Sequence, residues 1–276
     1  MPEVKDSPAI RADNYKFLQD HIRKQSGIVL DDTKHYLVEA RLLPIALDQG
    51  LRNLDDLCAK LRQGPPPLLQ RRVVEAMTTN ETYFFREPAH FEALKNTILP
   101  PLIAARRDVK KLSIWSAAAS TGQEAYSLAM LLAEMGLQDW TISIVGTDLA
   151  ESVLEKAREG KYSQLEVNRG LPVTMLVKYF ARQQLLWELK PVLRKMVSFQ
   201  TLDLRNIRGI GPFDIVLCRN VLIYFDVETK RQIVDQIRTN LSQGGYFFLG
   251  ASEVGLSVGP RFARLCTNDA TYYQAV

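Results

Sequence analysis

The sequence predicts an α/β protein in which a mostly parallel, Rossmann-like sheet with a closing antiparallel hairpin follows a small all-helical domain. Three observations carry this. The first 63 residues hold helical periodicity and no strand pattern. From residue 110, short apolar runs alternate with amphipathic helices, the signature of a parallel sheet covered on both faces. The closing segments FARLC and TYYQAV, separated by the turn-prone TND, read as a hairpin at the sheet edge.

The elements follow in order. NYKFLQDHIRKQSG is a helix stopped by Gly27, and DDTKHYLVEARLLPIALDQG starts on an aspartate cap and ends at Gly50. Pro44 should kink or split that second helix. NLDDLCAKLRQG is a third helix, capped by Asn53. GPPP at 64–67 marks the domain boundary, so the division falls as 1–72 and 73–276, with LLQRRVVEAM resuming as a helix across it. The strand–helix alternation then runs KLSIWSAA, QEAYSLAMLLAEMG, ISIVGTD, ESVLEKAREG, MVSFQTLDL, FDIVLCRN, ETKRQIVDQIRTNL and GYFFLGAS. Residues 178–195, KYFARQQLLWELKPVLRK, interrupt it as a small antiparallel excursion.

Composition narrows the function. Apolar residues at 46% and charged ones at 24% of 276 residues belong to a globular chain. A net charge of +4 is too small for nucleic-acid binding on its own, yet suits an acidic partner. Cys58, Cys218 and Cys266 have no paired spacing, and His21, His35 and His90 form no ligand pattern, so neither a disulfide framework nor a metal is expected. No leader and no membrane-length apolar run is present, which reads as cytoplasmic.

Ligands of doubly wound sheets sit beyond the carboxyl ends of the strands. After the first strand, SAAASTGQEAYS has a single glycine, so the dinucleotide fingerprint is missing; Thr121 with Glu124, or Ser120 with Gln123, has capping-box spacing, and by itself this loop reads as a helix start. Asp148 ends the second strand, where a carboxylate grips a ribose or caps the next helix. Asp203 follows the third strand, in position to accept from an adenine amino group. Asn220 and Tyr224 follow the fourth, one helical turn apart if that segment is helical. Together they point to an adenosine-containing cofactor, and the closing hairpin favours S-adenosylmethionine over a nicotinamide. Upstream, TTNETYFFREPAHF at 78–91 mixes four aromatic rings with an amide, acids, hydroxyls and a guanidinium, suiting a dry place that holds charge.

TTNETYFFRE, WSAAASTGQEAYSLAM, TDLAESVLEKAREGKYS and FDIVLCRNVLIYF together resemble the CheR-type chemotaxis receptor methyltransferases, in order from about residue 14 onwards. The resemblance implies an S-adenosylmethionine-dependent protein-glutamate O-methyltransferase, with S-adenosylhomocysteine as product and a small β-subdomain inserted in the methyltransferase domain. It puts Asn80, Thr82, Arg86, Glu124, Asp148, Asp203, Leu204, Asn220 and Val221 at cofactor contacts, and Arg86 and Tyr224 near the transferred methyl. Gln123, Ala125 and Ala119 depart from the family's usual residues without removing a matched contact, and Pro44 stands where an arginine is frequent. The implied partner is the cytoplasmic helices of methyl-accepting chemoreceptors, with no nucleic acid, no membrane insertion and a monomeric enzyme. Lys34, Val38 and Arg41 form a shallow basic stripe for docking them. FARQQLLWELKP is compact and lacks a glycine, so no receptor C-terminal pentapeptide tether is expected.

A glutamate acceptor, with a reference pKa of about 4.3, is already ionised near neutrality and needs no general base. This accords with the lack of histidine at the strand-end motifs. Arg86 is suited to hold a carboxylate and Tyr224 to donate to it, with Tyr83, Phe84 and Phe85 as dry walls; Phe84 and Phe91 also read as core. Two readings compete: a methyltransferase on another substrate, and a non-catalytic cofactor-binding regulator. RNVLIY where nucleic-acid amino-methylating enzymes often carry an Asn/Asp-Pro-Pro-aromatic motif argues against a nucleic-acid substrate. Retention of Arg86 and Tyr224 argues against the regulator.

Overall fold

The computed structural model describes residues 10–137, 139–267 and 269–276. Its contacts divide into two units, one running to Thr79 and including Tyr224–Asp226, the other Asn80–Ile223 with Val227–Val276.

The first unit is helical. Helix α1 (Ala12–Ser26) ends at Gly27, whose φ of 79° supplies the left-handed C-terminal turn that glycine allows. Helix α2 (His35–Asp48) begins later than the aspartates suggest. Asp31 accepts from the Thr33 amide in a local turn, and Lys34 stands at the cap position without a side-chain bond. The helix also runs unbroken through Pro44. Pro44 and Ala40 are both exposed, so the carbonyl that lacks a proline N–H faces water. In α3 (Leu54–Arg62), Asn53 caps as its residue type predicts, accepting from the Asp56 amide at 2.9 Å. Helix α4 (Pro67–Met77) follows the proline run and packs Leu69, Val73 and Met77 with Leu18, Ile22, Val38, Leu42 and Leu57 in one core.

The second unit opens with α5 (Pro88–Ala93), a π-helical turn (Leu94–Ile98) and α6 (Leu99–Ala105). Then come β1 (Lys111–Ala117), α7 (Gln123–Glu134), β2 (Thr141–Asp148), α8 (Glu151–Glu159), β3 (Lys161–Ser163), α9 (Gln164–Asn168) and α10 (Val173–Tyr179). The chain continues with β4 (Phe180–Gln183), β5 (Leu186–Leu189), α11 (Pro191–Arg194), β6 (Val197–Thr201), β7 (Phe213–Cys218), α12 (Val227–Asn240), β8 (Leu241–Phe248), β9 (Phe262–Thr267) and β10 (Ala270–Ala275).

The main sheet has the order β6-β2-β1-β7-β8-β10-β9. Strand β1 pairs in parallel with β2 on one side and β7 on the other, so the order reverses there. Strand β10 is antiparallel to both neighbours, β8 and β9. The closing hairpin therefore forms with β10 inside the sheet and β9 at its edge; Asn268 of its turn lies outside the described residues. Every residue of β7 is buried, as an apolar run in mid-sheet requires. Strands β4 and β5 of the excursion form a separate antiparallel sheet with β3, which lies upstream of residues 178–195, in the order β3-β5-β4. Among the described residues no helix is long and apolar enough to cross a membrane.

Candidate active site

The loop from β1 to α7 is where the backbone departs most from ordinary geometry. Ala118 (φ 64°), Ser120 (φ 50°) and Gly122 (φ 92°) are all left-handed, two of them at a cost to a residue with a Cβ. Neither capping box of the sequence reading forms: Gly122 occupies the cap position, with no side-chain bond. Ser120 Oγ instead donates to the Asn80 carbonyl at 2.8 Å, and its amide donates to Asp148 at 2.9 Å. The other Asp148 oxygen accepts from the Ala150 amide at 3.0 Å, and Ala150 stands at the cap position of α8. Thus Asn80, Ser120 and Asp148 are bonded in series across three segments, at the carboxyl ends of β1 and β2.

The end of β6 joins them. The Leu202 amide donates to the Asp148 carbonyl at 2.9 Å, and Asp203 next to it is held by its own neighbour, with Arg205 Nη2 at 2.6 Å and Nε at 3.0 Å. Leu204 is buried behind it.

A second network lies beyond β7. Arg219, only 1% exposed in its side chain, donates from Nη1 to Glu124 at 2.7 Å and from Nη2 to the Arg86 carbonyl at 2.5 Å. Its Nη2 also lies 3.1 Å from Glu87. Glu124 accepts a further bond from Ser116 Oγ at 2.7 Å. Asn220 is left-handed at φ 58° and donates from Nδ2 to Glu87 at 3.0 Å. Burial works to raise the Glu87 pKa, but the His90 imidazole, the Arg219 charge and the Asn220 amide outweigh it and hold it well below the usual carboxylate range. Behind Asn220, Glu253 accepts from the backbone amides of Asn220, Val221, Leu222, Ile223 and Gly250, at 2.7–3.3 Å.

The 78–91 stretch is fastened from several sides. The Phe85 amide donates to Ser127 Oγ on α7 at 2.9 Å, and Arg86 Nη1 donates to the Glu81 carbonyl at 2.8 Å. Tyr83 has the guanidinium of Arg169 4.3 Å and that of Arg86 5.6 Å from its ring centroid. Phe84 is fully buried, edge-on to Tyr162 and Phe180, and Phe85 meets Phe91 edge-on. So Phe84 is core, as the sequence also allowed, and not an open wall. Thr82 is half-buried beside these groups.

The remaining sequence candidates lie in the helical unit. Val38 points into the core. Arg41 donates to the carbonyls of Met77 (3.1 Å) and Thr78 (2.8 Å), closing the end of α4. Lys34 stands at the start of α2, half-buried. Tyr224 packs on the helical core, and its carbonyl accepts from the Val29 amide at 2.9 Å. Asn220 and Tyr224 are not one turn apart on a helix, because a 3₁₀ turn starts only at Leu222. Glu87, Arg219 and Glu253 had no role in the sequence reading, and Ser120 figured there only as a helix cap. Arg219 was visible only as a lone cation on the end of the apolar FDIVLC run, and Glu253 not at all.

These residues fit S-adenosylmethionine. The left-handed turns at Ala118, Ser120 and Gly122 present backbone at the point where the strand order reverses, and acidic acceptors stand at the ends of β2 and β6. Residues 80–266 match the model of the CheR methyltransferase SAM-binding domain. Fold and match together define the class, an S-adenosylmethionine-dependent methyltransferase. Residues 13–78 match the CheR methyltransferase all-alpha domain. The chain belongs to the CheR methyltransferase family, whose work is methylation in chemotaxis.

Chemotaxis protein methyltransferase 1 of Pseudomonas aeruginosa is 43% identical over 87% of this chain and 89% of its own. Chemotaxis protein methyltransferase Cher2 of Pseudomonas putida is 38% identical, over 92% and 94% respectively. The chemotaxis protein methyltransferase of Vibrio parahaemolyticus is 37% identical, over 94% and 96%.

Proposed function

We propose that this enzyme methylates glutamate carboxylates on the cytoplasmic helices of chemoreceptors, acting in the cytoplasm and without a receptor C-terminal pentapeptide tether. The observation that carries the site assignment is the paired bonding of strand-end residues: Asn80 through Ser120 to Asp148, and Arg86 through Arg219 to Glu124. Both networks hold polar groups at the strand ends through bonds within the chain, the kind of preorganisation a charged cofactor requires.

Bound S-adenosylmethionine supplies a methyl group on a cationic sulfonium. Asp148 accepts from the ribose hydroxyls and Asp203, oriented by Arg205, from the adenine amino group. Leu204 gives an apolar surface, and Asn80, Thr82, Glu124, Asn220 and Val221 hold the rest of the cofactor. Arg86 orients a carboxylate, and Tyr224 donates to the acceptor's second oxygen. No side chain need remove a proton, since the acceptor is already a carboxylate near neutral pH. Lys34 and Arg41 are the docking candidates on the helical unit; the Arg41 bonds to Met77 and Thr78 leave Lys34 the freer of the two to meet an acidic helix.

The test is transfer of a radioactive methyl group to chemoreceptor-containing membranes, with Arg86→Ala and Tyr224→Phe in parallel. Base-labile label on the receptor, lost in Arg86→Ala, supports the reading. Cofactor binding with no transfer to any receptor rejects it. Calorimetry with a tether-type pentapeptide should register no binding; micromolar affinity would contradict independence from the tether.

A further inference from the structure

We propose that Glu253 is a positioning residue for the cofactor, acting through the Asn220–Ile223 loop; this rests on reading Asn220 and Val221 as cofactor contacts. The loop leaves β7 through a left-handed residue, Asn220 (φ 58°), a conformation that asparagine adopts more readily than most residues with a Cβ, and the amides around it share a support. The support is one carboxylate. Glu253 Oε1 accepts from the amides of Val221 (3.0 Å), Leu222 (2.7 Å) and Ile223 (3.3 Å). Its Oε2 accepts from those of Asn220 and Gly250, both at 2.8 Å. Glu253 is buried, at 5% exposure for the residue, and all five partners are donors, so only an acceptor with two oxygens satisfies the set.

Gly250 completes the device. A Cβ there would lie 2.5 Å from Asn220 Nδ2 and 2.8 Å from the Asn220 amide nitrogen, so the segment leading to Glu253 presses against the loop it braces. Glu253 touches the loop through backbone amides alone, which leaves the side chains of Asn220 and Val221 for other partners; Asn220 Nδ2 meets Glu87. Its influence on the reaction therefore passes through the position of Asn220 and Val221. A glutamine at 253 keeps the shape but has one acceptor oxygen, and its NH₂ must face either two or three amide donors.

The experiment uses the full chain and its product, S-adenosylhomocysteine. Affinity is measured by calorimetry on wild type, Glu253→Gln, Gly250→Ala and Asn220→Ala, with circular dichroism to establish folding and steady-state kinetics in S-adenosylmethionine. A folded Glu253→Gln should bind the product roughly 10- to 100-fold more weakly, from buried donors left unsatisfied. KM for the cofactor should rise by a similar factor while kcat changes little, the mark of a contact shared by ground and transition states. A merely structural role would lower the active fraction, and so apparent kcat, at unchanged KM. That outcome, or wild-type affinity in a folded variant, overturns the proposal. Where Glu253→Gln does not fold, Gly250→Ala decides by the same two criteria, since it displaces the loop and leaves the carboxylate in place. Wild-type affinity in Asn220→Ala would instead refute the cofactor reading on which the proposal rests.

Discussion

Arg219 meets the carboxylate of Glu124 at 2.7 Å with only 1% of its own side chain exposed, a guanidinium taken almost wholly out of water. Glu87 lies 3.1 Å away on its other side. Removing the cation would leave two carboxylates facing each other with reduced solvation. Arg219→Met should therefore cost about 3–5 kcal/mol in urea unfolding, the range found when one partner of a buried pair is deleted. Arg219→Lys should recover only part of this, because an ammonium cannot reach both carboxylates and the Arg86 carbonyl as a fork does.

The depressed pKa of Glu87 gives a pH dependence of definite sign. A carboxylate held low in the native state adds stability that is complete above its unfolded value, 4.5, and that drains away as pH falls below it. Glu87→Gln lacks this contribution at every pH. Its unfolding free energy, measured by urea titration from about pH 6 to about pH 3, should fall less steeply than that of wild type. Parallel pH curves would contradict the bonding of Glu87 to Arg219 and Asn220.

The three cysteines should differ in reactivity. Burial pushes the Cys58 thiol up to about 12 and that of Cys218 well above its ordinary value, while Cys266 is exposed on β9. A thiol reagent such as Ellman's should modify Cys266 promptly in the native protein and reach the other two only on unfolding. Rapid native labelling in a Cys266→Ser variant would count against the packing around β7 and α3.

Gly170 offers a test of the fastening of the 78–91 stretch. It is left-handed at φ 81°, and an added Cβ would fall 2.0 Å from the Phe84 carbonyl oxygen. Gly170→Ala should destabilise by at least about 2 kcal/mol through strain and collision together. It should also displace Tyr83 and Arg86 and so weaken binding of S-adenosylhomocysteine. A variant as stable as wild type, with unchanged affinity, would speak against so close an approach.

Local chemistry explains which parts of this structure were legible beforehand. Gly27 and Asn53 each act within a few residues of themselves, and both perform the capping roles their side chains predict. The run FDIVLC at 213–218, apolar but for Asp214, reads as a strand in the alternation and forms one buried along its whole length. Reading failed where a distant group competed for the same atoms. Ser120 and Thr121 have the spacing of a helix cap, but the Ser120 hydroxyl is taken by the Asn80 carbonyl, 40 residues away. Asp31 looks like the cap of α2 and instead closes a turn with Thr33. Pro44 looks like a helix breaker, and exposure of its surroundings makes it harmless. Glu253 was invisible for a deeper reason: backbone amides carry no sequence signature, so a carboxylate that serves five of them leaves no pattern to find.

The place of β10 sets a condition on how the protein is made. Strand β10 is the last of the described strands to emerge during translation, yet it lies between β8 and β9. A nascent chain that has released everything up to Thr267 therefore leaves β8 and β9 without the strand that pairs with both, and such open edges invite pairing with other chains. The sheet becomes continuous only when Ala270–Ala275 arrives, so a frameshift or early stop that spares β1–β9 but removes this segment would release a chain with an unsealed sheet.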